Sequence, residues 1–267
     1  MKNNLKITYL NDCILIEDVL VIGDIHVGCN EYGERVVFPG IQLEGIINKL
    51  EEIFGYLKKQ NKKIKKIIQL GDFKHDFGNI TDVEWRETIK LIDYFIKKVG
   101  VKNLFIIKGN HDNVLEPIVR KKSIKLKEFY KLKRKNQDIC FMHGNKLFEQ
   151  CLNVQTNKQT LRKNTMGNKQ TNRQTIFLGH LHPAITLSDK YKSEKYKCFL
   201  HGKWNGKEVY ILPSFSSSSF GYDLRDLDGG KEKFFIIPSK GLKNFEVIIY
   251  NNNEKKEYNF GKLKDLI

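Results

Sequence analysis

The chain has 267 residues, with 47 Lys and Arg against 31 Asp and Glu, so its formal net charge is +16. Apolar residues make up 40% of the sequence, which is enough to build a buried core and too much for a disordered chain. No apolar run approaches the roughly 20 residues that a membrane helix requires. Charged residues also interrupt each short apolar stretch near the N-terminus, which predicts no signal peptide. Membrane and secreted classes are therefore not expected.

The cysteines are odd in number and widely spaced, and they include no Cys-x-x-Cys pair. They are Cys13, Cys29, Cys140, Cys151 and Cys198. Such a dispersed set argues against a disulfide framework and against a cysteine zinc site. The sequence therefore predicts a protein of the reducing cytoplasm.

The positive charge has two interpretations. Alanine occurs once, at Ala184, whereas Lys, Ile and Asn are abundant, which is what an AT-rich coding sequence produces without selection for charge. However, residues 120–135 contain nine basic residues together with Phe129 and Tyr130, and such interleaving is required of a nucleic-acid surface. Net charge bears on association and not on fold, so both interpretations stay open.

The first part of the chain alternates strands with helices. In chain order, the predicted elements are strands at Leu5–Tyr9, Cys13–Ile16 and Val19–Asp24, a helix at Gln42–Gln60, a strand at Ile64–Leu70, a helix from the capping box Thr81-x-x-Glu84 to about Val99, and a strand at Asn103–Lys108. Three of these strands run into polar loops. This order is typical of an α/β sheet whose site lies at the carboxyl ends of the strands.

The second part of the chain is richer in predicted strands. They lie at Ile124–Tyr130, Asp138–His143, Thr175–Gly179, Tyr196–Trp204, Lys207–Leu212, Phe245–Tyr250 and Glu257–Phe260, with a hairpin turn at Asn205-Gly206. Between them, residues 153–174 contain five basic residues, no acidic residue and few large apolar side chains. This segment cannot bury enough apolar surface to offset its ordering entropy, which favours a surface insertion over a basic flap beside the site.

Five of the seven histidines lie at predicted strand ends or in short loops beside glycine, next to Asp or Asn. They are His26, His111, His143, His180 and His182. Imidazole, carboxylate and amide oxygen together suit divalent ions such as Mn, Fe, Zn and Co. In Asp24-x-His26 and His180-x-His182, alternate strand residues share one face, so each pair projects in one direction. The seven donors exceed one tetrahedral site and suit two ions that share a carboxylate.

The ordered motifs carry a family resemblance. They are Gly23-Asp24-Ile25-His26, Gly71-Asp72, Gly109-Asn110-His111-Asp112, His143-Gly144 and Gly179-His180-Leu181-His182. Together they resemble the calcineurin-like metallophosphoesterase family. Two of the motifs look closest to the prokaryotic branch that includes ligase-associated DNA-repair phosphoesterases and archaeal relatives. They are Gly71-Asp72-Phe73-Lys74-His75 and Gly179-His180-Leu181-His182-Pro183-Ala184.

The resemblance implies a four-layer αββα sandwich in one domain spanning residues 1–267, together with a role for each motif residue. Asp24, His26 and His182 would bind the first metal, Asn110, His143 and His180 would bind the second, and Asp72 would bridge both. His111 would contact the phosphate and protonate the leaving oxygen, with Asp112 orienting it. Two ions, Mn first and Fe, Zn, Ni, Co or Mg as alternatives, would generate a bridging hydroxide that attacks the phosphoester.

The implied substrate is a phosphodiester in nucleic acid or nucleotides. A phosphomonoesterase acting on small metabolites or phosphoproteins is an alternative, because the motifs build the metal sites and not the substrate pocket. A non-catalytic scaffold, or a DNA-binding module with a vestigial site, is a weaker alternative because every ligand position is filled. The sequence leaves the oligomeric state and the native metals open.

Three further features receive separate predictions. His75 occupies a position where many members of the family carry an acidic residue. We expect it to lie behind the ligands or to face the substrate, and the alternative is a loop histidine on the surface. Ser214–Ser219 lacks the elbow of a serine nucleophile. The resemblance to this branch implies that a segment after the last strand pair lies near the site, where it could contact the substrate. His201 is expected to be structural or exposed.

Overall fold

The computed structural model describes residues 5–28, 31–32, 35–36, 40–78, 80–134, 137–152, 173–229 and 235–267. The predicted insertion therefore lies outside the described residues, except for its last two positions, where a strand begins. None of the described helices is long and apolar enough to cross a membrane.

The strands are β1 (Ile7–Leu10), β2 (Cys13–Ile16), β3 (Val19–Ile22), β4 (Glu31–Tyr32), β5 (Arg35–Val36), β6 (Lys66–Gln69), β7 (Leu104–Ile106), β8 (Phe129–Arg134), β9 (Gln137–Met142), β10 (Arg173–Leu178), β11 (Pro183–Ser188), β12 (Ser193–Lys197), β13 (Phe199–Trp204), β14 (Lys207–Ile211), β15 (Tyr222–Asp223), β16 (Glu246–Asn251) and β17 (Lys256–Lys262). The helices are α1 (Ile41–Lys59), α2 (Asp82–Val99), α3 (Glu116–Lys121), α4 (Glu149–Leu152) and α5 (Ser239–Leu242).

Two sheets form the centre of the fold. The first has the order β1-β2-β3-β6-β7, and its last three strands are parallel. The second has the order β17-β16-β13-β14-β10-β9-β8, with β9, β10 and β14 parallel. All residues of β2 and β3 are buried because both faces of this sheet are covered, which explains their continuous apolar sequences.

The packing is layered. Apolar side chains of the two sheets meet in one cluster, which includes Ile14, Val21 and Ile68 of the first sheet and Phe141 and Phe177 of the second. Helices α1, α2 and α3 cover the outer face of the first sheet. The outer face of the second sheet is covered by α4, α5 and β11. This confirms the predicted α/β sandwich, although in the described part of its outer layer a three-stranded sheet, β12-β11-β15, accompanies short helices.

Both long helices begin and end close to their predicted bounds. The buried residues of α1 include Leu43, Ile46 and Leu50, the spacing that places apolar side chains on one face. Helix α2 is capped by Thr81, whose side chain accepts a hydrogen bond from the Glu84 amide at 3.1 Å. The Glu84 carboxylate instead accepts hydrogen bonds from the loop that follows Asp72, so the cap is joined to the site.

The structure corrects three expectations from the sequence. The strand predicted at 124–130 begins only at Phe129 and continues to Arg134. The strand predicted at 196–204 is divided at Cys198, whose amide bonds the Pro183 carbonyl instead of continuing one ladder. Cys140 and Cys151 form a disulfide, which corrects the prediction for this pair alone, because one bond is not the disulfide framework against which the cysteine pattern argued. The two are distant from the other cysteines in sequence, and only the packing of α4 on β9 brings them together.

The basic run at 120–135 is also resolved into separate roles. Tyr130 stacks on Phe105 with ring centroids 4.1 Å apart, so this aromatic ring packs in the protein. Arg134 lies 2.8 Å from the Asp18 carboxylate, and Lys122 lies 2.7 Å from that of Asp93. These contacts use the aromatic ring and two of the cations internally, which weakens the interpretation of this run as a nucleic-acid surface.

Candidate metal centre

The predicted site residues meet at the carboxyl ends of the parallel strands of both sheets. Asp24 and His26 follow β3, Asp72 follows β6, and the segment Asn110–Asp112 follows β7. His143 follows β9, and the pair His180 and His182 follows β10. Because parallel strands end at the same edge, five separate motifs converge on one location.

Four of the candidate ligands have left-handed backbone conformations. They are His26, Asp72, His180 and His182, with φ between 49° and 65°. This region is unfavourable for residues other than glycine, and such strain concentrates at functional sites. The turns aim these side chains into the cluster immediately after their strands end.

The first group of donors consists of Asp24, His26 and His182. The His182 Nε2 atom lies 3.3 Å from Asp24 Oδ1 and 3.3 Å from His26 Nε2. The Asp24 carboxylate also accepts the His180 amide at 2.9 Å, which connects the two motifs. Burial lowers the pKa of His26 to about 3, so its imidazole is held neutral, the form that binds a metal.

The second group consists of Asp72, His143 and His180, with Asn110 beside them. The His143 Nε2 atom lies 3.3 Å from Asp72 Oδ2, 3.0 Å from Asn110 Oδ1 and 3.0 Å from His180 Nδ1. On the other side of its ring, Nδ1 lies 2.9 Å from the Leu70 carbonyl. A carbonyl can only accept, so His143 Nδ1 carries a proton and Nε2 faces the cluster.

These donors fit divalent cations. Within each group the ligand atoms lie within 4.8 Å of one another. Asn110 Oδ1, His180 Nδ1 and Asp72 Oδ2 converge on His143 Nε2, so acceptor atoms crowd together around one position. Burial disfavours a charged imidazole at His143, but Asp24 and Asp72 outweigh it and raise its pKa to about 9 without a metal. The buried carboxylates therefore require positive charge, which a divalent ion would supply.

Asp72 occupies the centre of the cluster. Its Oδ1 atom accepts the His111 amide at 2.9 Å. Its Oδ2 atom lies 3.3 Å from His143 Nε2, 3.7 Å from His111 Nε2 and 4.0 Å from His26 Nε2. The glycine at 109 is required for this approach, because a Cβ atom there would lie 2.1 Å from Asp72 Oδ1.

His111 and Asp112 have different hydrogen-bond partners. The Nδ1 atom of His111 is hydrogen-bonded to the carbonyl of His75. The Asp112 carboxylate instead accepts backbone amides of Phe73, Lys74 and Gly109, at 2.9, 3.3 and 2.8 Å. Asp112 thus joins the loops that carry Asp72 and His111 by accepting their backbone amides, and its role in orienting His111 stays a prediction.

Two other predicted residues are also placed by the structure. The His75 ring lies beside the cluster, with centroids 6.1 Å from His111 and 5.6 Å from His26. His201 lies on β13, where its Nε2 atom is 3.0 Å from the Glu208 carboxylate and its ring stacks on Tyr210.

Several supporting residues were missed by the sequence analysis. Gln42 of α1 donates to the His26 carbonyl at 2.8 Å and accepts the Gly28 amide at 3.0 Å. Ser214 and the Phe215 amide both donate to the Asp24 carbonyl, at 3.0 and 2.7 Å. The serine-rich segment therefore supports a ligand loop with a buried hydroxyl. No local signal distinguishes Gln42, but the proximity of 214–219 was predicted.

An open cleft lies beside the cluster. Its volume is about 590 Å³, and it is lined by Phe77, Asn110, His111, Asn145, Lys146, His180, Leu181, His182, Tyr222 and Phe235. The candidate ligands thus form part of a cavity large enough for a small organic group.

Comparisons with known proteins agree with this arrangement. The family model of the calcineurin-like phosphoesterases matches residues 18–211, and the chain belongs to that family. Nuclease MPE of Pseudomonas putida is similar in structure at 17% sequence identity, covering 92% of this chain and 93% of that chain with a TM-score of 0.50. Yfce, a phosphoesterase from E. coli, matches at 12% identity over 78% of this chain and 87% of that chain, with a TM-score of 0.34.

No curated protein matches the sequence. The family defines the chain as a hydrolase of phosphoester bonds. The likeness to nuclease MPE concerns the fold.

Proposed function

We propose that this chain is a phosphodiesterase that depends on two divalent metal ions and acts on nucleic acid or nucleotides. The observation that carries the proposal is the pair of donor groups around Asp72, placed beside an open cleft. Asp24, His26 and His182 form one donor group and Asp72, His143 and His180 form the other. The His26 Nε2 atom lies 4.0 Å from Asp72 Oδ2, so the two groups adjoin at Asp72 and suit two neighbouring ions better than one ion.

In this proposal Asp24, His26 and His182 would hold one ion, Asn110, His143 and His180 would hold the other, and Asp72 would be a ligand common to both sites. Mn is the first metal to test, because mixed imidazole, carboxylate and amide donors accept it readily. When bound, the ions would neutralise charge on the phosphate and lower the pKa of a water molecule between them.

His111 is proposed to act on the leaving oxygen. Its Nδ1 atom is held by the His75 carbonyl, so Nε2 is the atom left to meet a phosphate oxygen and to give a proton to an alkoxide. The residue lines the cleft beside the candidate ligands, which supports a position for His111 next to the proposed substrate. Asp112 acts on the backbone of both ligand loops and keeps His111 at its distance from Asp72.

Two observations support a nucleic-acid or nucleotide substrate. The exposed cation Lys146 lines the same cleft as His111, so an anionic substrate meets positive charge there. A nuclease from Pseudomonas putida has a similar fold over most of both chains. We propose a phosphodiester substrate in this class.

The test is hydrolysis of bis-p-nitrophenyl phosphate and p-nitrophenyl phosphate as metal is titrated into metal-free protein. Wild type is compared with Asp72→Ala and His111→Ala, and His201→Ala is the matched control because that histidine pairs with Glu208 on β13. We expect diesterase activity that requires Mn, is lost in Asp72→Ala and is unchanged in the control. Elemental analysis should find two bound ions in wild type and in His111→Ala.

Each other result has a definite meaning. Hydrolysis of the monoester alone would retain the metal centre and replace the proposed substrate by phosphomonoesters. One bound ion per chain at saturation would contradict the two-metal proposal. Absence of bound metal would contradict the enzymatic proposal.

A further inference from the structure

Phe77 is an exposed aromatic residue held at the mouth of the cleft. Its side chain is 57% exposed, although Phe73 and Lys74 of the same loop are fully buried. Amides of His75 and Asp76 donate to Glu84 at 2.8 and 3.0 Å, and Asn113 donates to the Phe77 carbonyl at 3.4 Å. An isolated exposed phenylalanine needs no explanation, but one held at this position by hydrogen bonds invites a functional one.

The ring of Phe77 lies directly on the proposed proton donor. Its centroid is 3.5 Å from that of the His111 imidazole, and the planes are tilted by 32°. Because one side of the phenyl ring contacts His111, its exposed area belongs to the other side and the edge. A flat apolar surface is thus presented next to the position proposed for the phosphoester.

The rest of the cleft matches an aromatic group attached to a phosphate. Leu181, Tyr222 and Phe235 give the cleft an apolar wall, and Lys146 supplies a positive charge. The Phe235 side chain is only 7% exposed, and its ring stacks near that of His180. It therefore forms part of the cleft wall and offers little free surface to a ligand. Of these rings, Phe77 is the one that combines high exposure with contact to the proton donor.

We propose that Phe77 is a stacking platform for the nucleobase next to the scissile phosphate. This inference rests on the proposed phosphodiesterase function and specifies what distinguishes its substrates. A phenyl ring offers no hydrogen-bonding group, so it stacks on any base and selects nucleotides over esters of small alcohols without reading sequence. Stacking of one base on an aromatic side chain contributes about 1–3 kcal/mol.

The test compares two diesters on the metal-loaded protein, thymidine 5′-p-nitrophenyl phosphate and methyl p-nitrophenyl phosphate. Both release the same leaving group, p-nitrophenolate. Phe77→Ala is expected to lower kcat/KM for the nucleoside diester by about 5- to 150-fold, mainly through KM, since each tenfold change equals about 1.4 kcal/mol. The methyl diester should change less than twofold, and Phe77→Trp should keep the preference. Phe260→Ala, at a 41% exposed phenylalanine on β17, is the matched control and should change neither rate.

A second measurement observes the platform without catalysis. Phe77→Trp adds an indole at the mouth of the cleft, and thymidine, which has no phosphoester, is titrated into the metal-loaded variant. Its emission, corrected for the native Trp85 and Trp204 with wild-type protein, should be quenched by thymidine and not by ribose.

The outcomes separate this inference from the function on which it rests. An equal loss of kcat for both diesters in Phe77→Ala would overturn it, because Phe77 would then act only through His111. Wild-type hydrolysis of both diesters without preference would overturn the platform and leave the phosphodiesterase proposal intact. Failure of wild type to hydrolyse either diester would reject the proposed function, and absence of quenching by thymidine would by itself reject the platform.

Discussion

Asp12 forms the centre of a charge cluster behind the candidate metal centre, and its removal is the most informative test of how the site is supported. The Lys49 Nζ atom lies 2.5 Å from Asp12 Oδ2, and that of Lys197 lies 3.6 Å away. Both lysines also donate to backbone carbonyls in 214–216, at 2.5 to 3.0 Å. Residues 214–216 in turn hold the Asp24 carbonyl. The Asp12 carboxylate therefore fixes the two lysines that position the loop carrying Asp24.

The proposed change is Asp12→Asn, which keeps the shape and suits the left-handed backbone at this position, where φ is 58°. Removing one partner from a buried ion pair costs about 3–5 kcal/mol because the other charge stays without compensation. The three side chains are 14–19% exposed, so we expect the lower end of this range, about 3 kcal/mol.

The assay is urea unfolding at pH 7, followed by circular dichroism, on metal-free protein. The matched control is Glu51→Gln, which removes the carboxylate of an ion pair on the surface. The Lys98 Nζ atom lies 2.8 Å from Glu51 Oε1, as close as in a buried pair, but the Glu51 side chain is half exposed. Such a surface pair contributes about 0–1 kcal/mol, so the control should change stability little. Hydrogen exchange of the Phe215 amide should accelerate in Asp12→Asn and not in the control.

The same variant has a pH signature. Burial raises the pKa of Asp12, but Lys49 and Lys197 outweigh it and hold the pKa below its usual range. A depressed pKa contributes stability that is present above the unfolded value of about 3.9 and is lost as pH falls further. The stability difference between wild type and Asp12→Asn should therefore narrow below about pH 4. If Asp12→Asn lowered the free energy of unfolding at pH 7 by less than about 1 kcal/mol, as the control should, the proposed role of Asp12 in holding the two lysines would be refuted.

Three other predictions concern the ligand loops. Gly109→Ala should lower metal affinity and turnover at least tenfold, because its Cβ would lie 2.1 Å from Asp72 Oδ1, whereas the Cβ of Gly55→Ala in α1 meets no atom within 4 Å and should stabilise the fold by about 0.4–1 kcal/mol. Isothermal titration with Mn measures the metal affinity, and urea unfolding measures the stability. Equal metal affinities of Gly109→Ala and wild type would contradict the first of these expectations. His111→Ala should lower kcat for an alkyl leaving group about 10²–10⁴-fold but affect p-nitrophenolate much less; an equal loss for both leaving groups would exclude proton donation. Burial and Asp72 raise the pKa of Asp112 to about 7, so the contribution of Asp112 to the stability of the metal-free protein is lost as pH rises from about 4 to 7. In urea unfolding at several pH values, the stability of wild type relative to Asp112→Asn should therefore fall over this range. A difference that does not change with pH would show that Asp112 does not titrate there.

Local features of the fold could be read from the sequence because their causes are local. Helix α1 runs from residue 41 to 59, one residue from its predicted bounds, since the apolar spacing itself defines the buried face. The hairpin turn at Asn205-Gly206 is confirmed, with positive φ at both residues. Strand ends were predicted where an apolar run meets Gly-Asp or Gly-Asn, and this located the candidate ligands.

Contacts between distant segments could not be read in the same way. The sequence indicates that Glu84 belongs to a helix cap, but only the packing of α2 turns its carboxylate towards the loop after Asp72. The family resemblance implied that Asp112 orients His111, and only the fold shows that the carbonyl of His75 contacts the His111 ring. The disulfide between Cys140 and Cys151 likewise depends on where α4 packs.

By itself, the sequence determined the class of fold, the family resemblance and the set of donors, because strand periodicity and motif composition are properties of short segments. The tertiary structure decided which donors share a group, what holds each loop, and which side chains face the cleft. The Asp24 carboxylate and the His180 amide are separated by 156 positions yet lie 2.9 Å apart. Such distances depend on sheet order and strand register, which no single segment specifies.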